Sequence, residues 1–353
     1  MAGNRALTRA AKAQQDEFYT TTPDIELELQ HYREHFKGRK ILCNCDDPFE
    51  SKFFEYFAIR FKSYGLAKLT ATSYAGSPIA QRQLLLFEEE KPQRERTPYC
   101  ATLCELRDYN GDGRTDRHDV IWALQNIPGA LRKLEGDGDF RSPECIELLK
   151  DADIVVTNPP FSLLREYIAI LMKYSKKFVI VSNFNAITYK EVFPLFMQNR
   201  IWLGYGFLRG SAHFTIPSIA DPESAYKDYD PKTGLVSMRN CCWFTNLEIK
   251  RRYWPMAIFK HYTPEEYPHY DNYDAIEVSR TDWIPVDYDG VMGVPITFMD
   301  KYNPEQFEIV GRADANLAGE DNPYHLPGFK DKGGAPMING KFVYKRILIR
   351  RIG

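Results

Sequence analysis

The 353-residue chain is long enough to bury a sizeable core and fits one large α/β domain with a smaller companion, or two ordinary domains. With 44% hydrophobic and 27% charged residues, its composition excludes general disorder and a fibrous repeat. A net charge of -2 excludes the uniform basicity of a histone-like DNA coater, while a local basic cleft stays compatible with nucleic acid.

The charge is uneven. Residues 1–15 carry Arg5, Arg9 and Lys12 without an acid and read as a flexible basic arm, and residues 341–353 carry Lys341, Lys345, Arg346, Arg350 and Arg351. Both ends suit phosphates, although solvated tails are the plainer reading. Seven cysteines without a CxxC pair, set in apolar strand-like runs, indicate small core residues of a reduced, cytoplasmic protein rather than a zinc site. No apolar run approaches the roughly 20 residues of a membrane helix, and no secretory signal is expected at the N-terminus.

In chain order, the periodicity predicts a helix over 24–36, a strand over 40–45, a helix over 50–64 and a strand over 68–73. A strand follows over 99–106, then a helix opened by Ser142 as cap and Pro143 as first residue, and a strand over 153–157. Next come a helix over 162–174, with Leu164, Ile168 and Leu171 as its apolar stripe, and a strand over 178–182. This alternation predicts a parallel, doubly wound α/β sheet, with 201–207 and 240–247 pairing as its antiparallel end. From Arg251 the texture turns rich in Pro, Tyr and Asp, which places a second domain over 251–353 after a first over 16–250.

The segment 153–157 is a buried strand that must stop at Asn158, because Pro159 and Pro160 can continue neither a ladder nor a helix interior. Asn158 is thereby presented at the carboxyl edge of the sheet, where open α/β folds bind ligands. The side-chain oxygen of Asn158 and the carbonyl of Pro159 can accept both hydrogens of a planar amino group and favour its nucleophilic, pyramidal state. Phe161 offers a flat face for stacking a base that has left its duplex. Read without its context, Asn158-Pro159-Pro160-Phe161 could be merely a tight turn.

A second constellation runs from Asp108 to Asp119. Asp108, Asn110, Asp112, Asp116 and Asp119 stand at positions 1, 3, 5, 9 and 12 of a calcium loop, with Arg114 at position 7 contributing its carbonyl. It is either a structural calcium site or a plain Asp/Gly-rich surface turn.

With these motifs in place, the chain resembles the EcoRI-type adenine-specific DNA methyltransferases. The resemblance runs from Asp16 to near the C-terminus. It is carried by Asp16-Glu-Phe-Tyr-Thr20, Cys43-Asn-Cys-Asp-Asp-Pro48, Gly136-Asp-Gly-Asp-Phe-Arg-Ser142, Asn158–Phe161, Asn185-Ala-Ile-Thr-Tyr189 and Trp202-Leu-Gly-Tyr-Gly206. It implies a Rossmann-like methyltransferase fold, S-adenosylmethionine as donor, double-stranded DNA as partner and a smaller C-terminal target-recognition region.

By the same resemblance, Phe18, Tyr19 and Thr20 close over the donor's methionine end, and Asp46 and Asp47 contact it. Asp139 and Phe140 take its adenine, and Asn158, Pro159, Pro160 and Phe161 form the catalytic centre. Arg251, Arg252, Lys330 and Lys332 are candidate DNA contacts, and a cognate restriction endonuclease is a further partner. Two departures stand out. Pro48-Phe-Glu-Ser-Lys52 replaces the usual Gly-x-Gly loop, and the strand ending Thr72-Ser73-Tyr74 lacks the acid that grips ribose. The competing readings are methylation of RNA bases or a protein glutamine, and a non-catalytic DNA- or calcium-binding interaction protein.

Overall fold

A computed structural model describes residues 19–48, 52–74, 98–207, 212–216, 222–226, 228–314, 322–326 and 334–352. The arm 1–15, Phe18, Lys330 and Lys332 lie outside the described residues. The chain divides into two compact units, Met1–Tyr189 with Gly204–Leu247, and Lys190–Leu203 with Glu248–Gly353.

In the first unit the strands of the large sheet are β2 (Lys40–Asn44), β3 (Lys68–Thr72), β4 (Tyr99–Leu103), β5 (Leu131–Lys133), β6 (Ile154–Thr157), β7 (Lys177–Asn183) and β11 (Cys241–Thr245). They lie in the order β5-β4-β3-β2-β6-β7-β11. The central four are parallel, as the alternation predicts. At the edges the expectation of a parallel sheet is corrected, since β4 runs antiparallel to β3 and β5 antiparallel to β4. On the other side β11 runs antiparallel to β7, and the Gly204 amide donates to the Trp243 carbonyl at 2.9 Å, joining the two segments expected to meet there.

The central strands are apolar throughout because helices cover both faces of such a sheet. Leu42, Cys43, Val155, Val156, Val179, Ile180 and Val181 are buried in it. Each fully buried side chain of this size contributes about 1.5–3 kcal/mol. The helices have the stripes that this packing needs. Leu164, Tyr167, Ile168 and Leu171 of α5 (Leu164–Lys173) face inward, while Arg165 and Glu166 are exposed. The helix α4 (Pro143–Asp151) begins as its sequence predicts, with Ser142 Oγ accepting from the Cys145 amide at 3.2 Å. The predicted helix over 24–36 is instead α1 (Thr22–Leu29), a tighter turn over Gln30–Tyr32 and a short helix over Arg33–Phe36.

A smaller sheet joins β1 (Tyr19–Thr20) to β8 (Ala212–Thr215), β10 (Leu235–Met238) and β9 (Tyr229–Asp230), in that order. Tyr19 and Thr20 are thereby fixed opposite Thr215 and Phe214.

The second unit is built on β12 (Ile276–Glu277), β13 (Met292–Val294), β14 (Phe307–Ala313) and β15 (Arg346–Arg351), with Met292, Val294, Phe307, Ile347, Leu348 and Ile349 in its core. Arg346 is clamped on Glu277, which also accepts from the Tyr270 hydroxyl, and Arg350 pairs with Glu308. These C-terminal arginines are therefore parts of the fold and not a solvated basic tail. All seven cysteines are free thiols; Cys43, Cys100, Cys145, Cys241 and Cys242 are buried, as their apolar settings suggest. Among the described residues no helix is long and apolar enough to cross a membrane.

Candidate active site

The parallel strands come in the spatial order β3-β2-β6-β7, so chain direction across the sheet reverses between β2 and β6. Their carboxyl ends diverge there and leave a crevice, the usual ligand position in an open α/β sheet. The two tips are Asn44-Cys45-Asp46-Asp47 and Thr157-Asn158-Pro159-Pro160. A cavity open to solvent lies at this point. Tyr19, Cys45, Asp46, Asp47, Tyr74, Gly138, Asp139, Phe140, Arg141, Asn158, Pro159, Pro160 and Leu163 line it. Segments far apart in sequence thus meet in one pocket.

Several bonds hold the β2 tip. The Asp46 amide donates to the Thr72 carbonyl at 3.1 Å, tying it to the end of β3. The Thr157 hydroxyl lies 2.7 Å from Asp46 Oδ2 and shares its hydrogen with the Asn44 carbonyl. Tyr167, on α5, donates to Asn44 Oδ1. Burial, followed by the charges of Cys45 and Asp46, pushes the Tyr167 hydroxyl well above the usual tyrosine range, so it remains a donor. Asp46 and Asp47 are 4% and 7% exposed, so two nearly buried acidic side chains stand on one side of the cavity.

In the turn after β2, Cys45 takes the left-handed conformation at φ 63°, which glycine favours, and its side chain lines the pocket. Residues 49–51 of the stretch that replaces the usual Gly-x-Gly lie outside the described residues.

Across the cavity, Gly138 stands at φ 80°, and a Cβ there would lie 2.0 Å from the Ser73 carbonyl oxygen. This close approach sets Asp139 and Phe140 against the end of β3, where Tyr74 also lines the pocket. Phe140 is 4% exposed and packs edge-on against Tyr167, with ring centroids 5.0 Å apart. The carboxylate of Asp139 accepts from Arg141 Nε at 2.9 Å and Nη2 at 2.6 Å, and from the Arg141 amide at 2.8 Å. The Arg141 guanidinium holds that carboxyl below the usual aspartate range.

The structure gathers Tyr19, Asp46, Asp47, Asp139, Phe140, Asn158, Pro159 and Pro160 around one cavity. Two of the expected residues do not line it: Thr20 is 2% exposed in β1, and Phe161 is 9% exposed at the start of the turn Phe161–Leu163. Leu163 lines the cavity at that place.

The loop expected to hold calcium folds on its own amides. Asp108 accepts from Gly111 at 2.6 Å and Gly113 at 2.7 Å, and Asp112 accepts from Arg114 at 2.9 Å. Asn110 Oδ1 accepts from the Asp112 amide, while Asp116 and Asp119 cap the helix α3 (Arg117–Asn126) reciprocally. Among the described residues no three His, Cys, Asp or Glu side chains gather as a metal group.

In the second unit Arg251 pairs with Asp300. Arg252 lies 4.1 Å over the Trp202 ring and donates to Asn199 at 2.8 Å. Both arginines are thus engaged within their own unit.

Sequence reasoning missed Glu28. This fully buried carboxylate accepts from the Tyr32 hydroxyl at 2.6 Å and from the amides of Tyr205 at 2.8 Å and Gly206 at 2.6 Å. It nests inside the Gly204-Tyr-Gly206 turn, where a Cβ on Gly204 would lie 2.1 Å from Glu28 Oε1, and His31 stacks on Tyr205 at 3.7 Å. A signal existed, because Glu28 interrupts the apolar stripe of Ile25 and Leu29 on α1 and Tyr32 in the turn that follows it. Arg141, Gly138 and Thr157 carried no comparable signal.

A mixed, doubly wound α/β sheet with a cavity at its switch point and the Asn158-Pro159-Pro160 turn on the cavity wall is consistent with a Rossmann-like methyltransferase core. The family model described as "Adenine-specific methyltransferase EcoRI" matches residues 6–352. The chain belongs to that family.

It is 42% identical to the type II methyltransferase M.EcoRI of Escherichia coli, over 99% of this chain and 97% of that protein. It is 34% identical to the type II methyltransferase M.MpnI of Mycoplasma pneumoniae, over 97% of each chain. It is also 33% identical to M.MgeORF184P of Mycoplasma genitalium, over 97% of this chain and 98% of the relative. No solved structure matches.

Proposed function

We propose that this protein transfers a methyl group from S-adenosylmethionine to the N6 amino group of an adenine rotated out of double-stranded DNA. The supporting observation is the single cavity that brings Asp46, Asp47, Asp139 and Phe140 to the same place as Asn158-Pro159-Pro160. Family membership supports the acceptor. Bound S-adenosylmethionine supplies an electrophilic methyl on a sulfonium, so the reaction needs no metal or strong base.

Asp46 and Asp47 suit the donor's ammonium, since buried carboxylates beside a cavity favour a cation. Asp139 accepts from the amino group of the donor's adenine, and Phe140 packs on its ring. Asn158 Oδ1 and the Pro159 carbonyl accept the two hydrogens of the target amine and orient its lone pair toward the methyl. The target base must leave the duplex for its amino group to be reached, and stacking on Phe161 requires that ring to turn out of its buried position. Recognition of the DNA sequence belongs to the second unit, and a restriction endonuclease of matching specificity is the partner this reading implies. Calcium binding by 108–119 rests on spacing alone; titration of calcium into the parent and an Asp108→Ala/Asp112→Ala double variant decides it.

The test is transfer of a labelled methyl group to duplex DNA, followed by sequencing for N6-methyladenine. Asn158→Ala, with its fold retained by circular dichroism, loses transfer at least about a hundredfold, the scale of removing a positioned transition-state contact. Undiminished transfer by that variant, or label entering RNA or protein glutamine instead of DNA, overturns the reading.

A further inference from the structure

Arg141 has no part in the reading above, yet it lines the same cavity and makes three side-chain hydrogen bonds. Its guanidinium grips Asp139 through two of its nitrogens, and its third, Nη1, reaches Glu166 Oε2 at 2.8 Å. Glu166 lies on α5, the helix that follows the Asn158–Phe161 turn. One side chain therefore ties the loop that carries Asp139 to the segment that carries Asn158.

The geometry bears on what Asp139 can still accept. A carboxylate has about four acceptor sites, two on each oxygen. Oδ1 takes the Arg141 amide at 2.8 Å and Nε at 2.9 Å, and both its sites are then filled. Oδ2 takes only Nη2, at 2.6 Å, which among the described residues leaves it one open site. The bidentate grip also fixes the plane of the carboxylate, as a single-point cation could not.

We propose that Arg141, anchored by Glu166, is a positioning residue that sets Asp139 so that its one open acceptor site, on Oδ2, reads the amino group of the donor's adenine. This inference rests on the reading that Asp139 meets that adenine. Arg141 acts through Asp139, without contacting the amino group. The consequence is discrimination: a donor with hydrogen in place of the adenine amino group leaves a fixed, charged acceptor unanswered, whereas a loosely held carboxylate can turn away to water.

Calorimetric titration of S-adenosylmethionine and its 6-deamino analogue, which carries hydrogen at that position, tests the proposal on the full-length protein. The parent is expected to prefer the amino-bearing donor by at least about tenfold, the scale of a hydrogen bond to a charged group. Arg141→Ala is expected to reduce that preference to about twofold or less, mainly by weakening the amino-bearing donor. Arg141→Lys restores only part of it, because one ammonium cannot hold both oxygens.

Glu166→Gln, which leaves the Asp139–Arg141 pair in place and loosens only its anchor, is expected to lower the preference by an intermediate factor. This variant keeps the test informative if Arg141→Ala fails to fold. Equal weakening of both donors by Arg141→Ala, or an intact preference in both Arg141→Ala and Glu166→Gln, overturns the inference. An Asp139→Ala variant that keeps the full preference overturns the underlying reading and the inference with it; loss in Asp139→Ala with none in Arg141→Ala overturns the inference alone.

Discussion

Thr157 and Asp46 are linked across the switch point of the sheet: the last residue of β6 places its hydroxyl 2.7 Å from the buried carboxylate that follows β2. The donor side of the proposed site and the turn bearing Asn158 are therefore one hydrogen-bonded piece. Thr157→Val keeps the shape and removes the hydroxyl that Asp46 Oδ2 and the Asn44 carbonyl share. Loss of a hydrogen bond to a carboxylate costs about 1–3 kcal/mol. Thr157→Val is expected to unfold earlier in urea by an amount in that range and to bind S-adenosylmethionine about tenfold more weakly. An unchanged affinity would show that the hydroxyl does not set Asp46.

Gly138 faces two separate obstacles to a side chain, its φ of 80° and the Ser73 carbonyl 2.0 Å from where a Cβ would stand. Gly113 has only the first, with φ 84° and nothing within 4 Å. Gly113→Ala is expected to cost about 1–2 kcal/mol, the left-handed penalty alone. Gly138→Ala should cost more and also weaken donor binding, because the Asp139–Phe140 loop must move off β3. Denaturant titration of the pair separates conformation from crowding; equal losses would contradict the close approach.

Glu28 is a carboxylate among donors. Glu28→Gln replaces one acceptor oxygen with an NH₂ that faces the amides of Tyr205 and Gly206 or the Tyr32 hydroxyl. A drop of about 2–4 kcal/mol in unfolding free energy is expected, from lost charge-assisted bonds and a buried donor facing a donor. Hydrogen exchange at the Tyr205 and Gly206 amides should accelerate in step. Amides that stay protected would mean that the turn holds itself.

The pH dependence at Asp139 follows from its depressed pKa. Arg141 first, with the backbone amide, favours the ionised form, so the folded value lies below the roughly 3.9 of an unfolded aspartate. Its contribution is therefore present above the unfolded value and is lost as pH falls through the folded one. Asp139→Asn should be less stable than the parent at neutral pH, and the gap should close as the solution is taken below pH ~4. Urea melts at several pH values measure this; a gap that widens on acidification would reverse the assignment.

Much of the fold was legible because each central strand and helix states its own burial. The runs around Val155 and Val179 could only be strands covered on both faces, and the stripe of Leu164, Ile168 and Leu171 could only be a helix lying on a sheet. Asn158-Pro159-Pro160 was legible for a similar reason, since two prolines end a strand by local sterics. The antiparallel directions of β4 and β5 were not, because apolar periodicity is the same whichever way a strand runs.

The pocket follows the same division. By itself the sequence determined the strand-end asparagine, through residue type and local chain geometry, while the acids after β2 and the Asp139-Phe140 pair were marked by the family resemblance. Only the tertiary structure decided that they share one cavity, that Cys45 turns left-handed at its edge, and that Arg141, Thr157 and Glu28 hold the parts in register. Each of those decisions depends on distance between segments remote along the chain, as from Asp46 to Thr157 or from Arg141 to Glu166, and local sequence pattern carries no term for such distances.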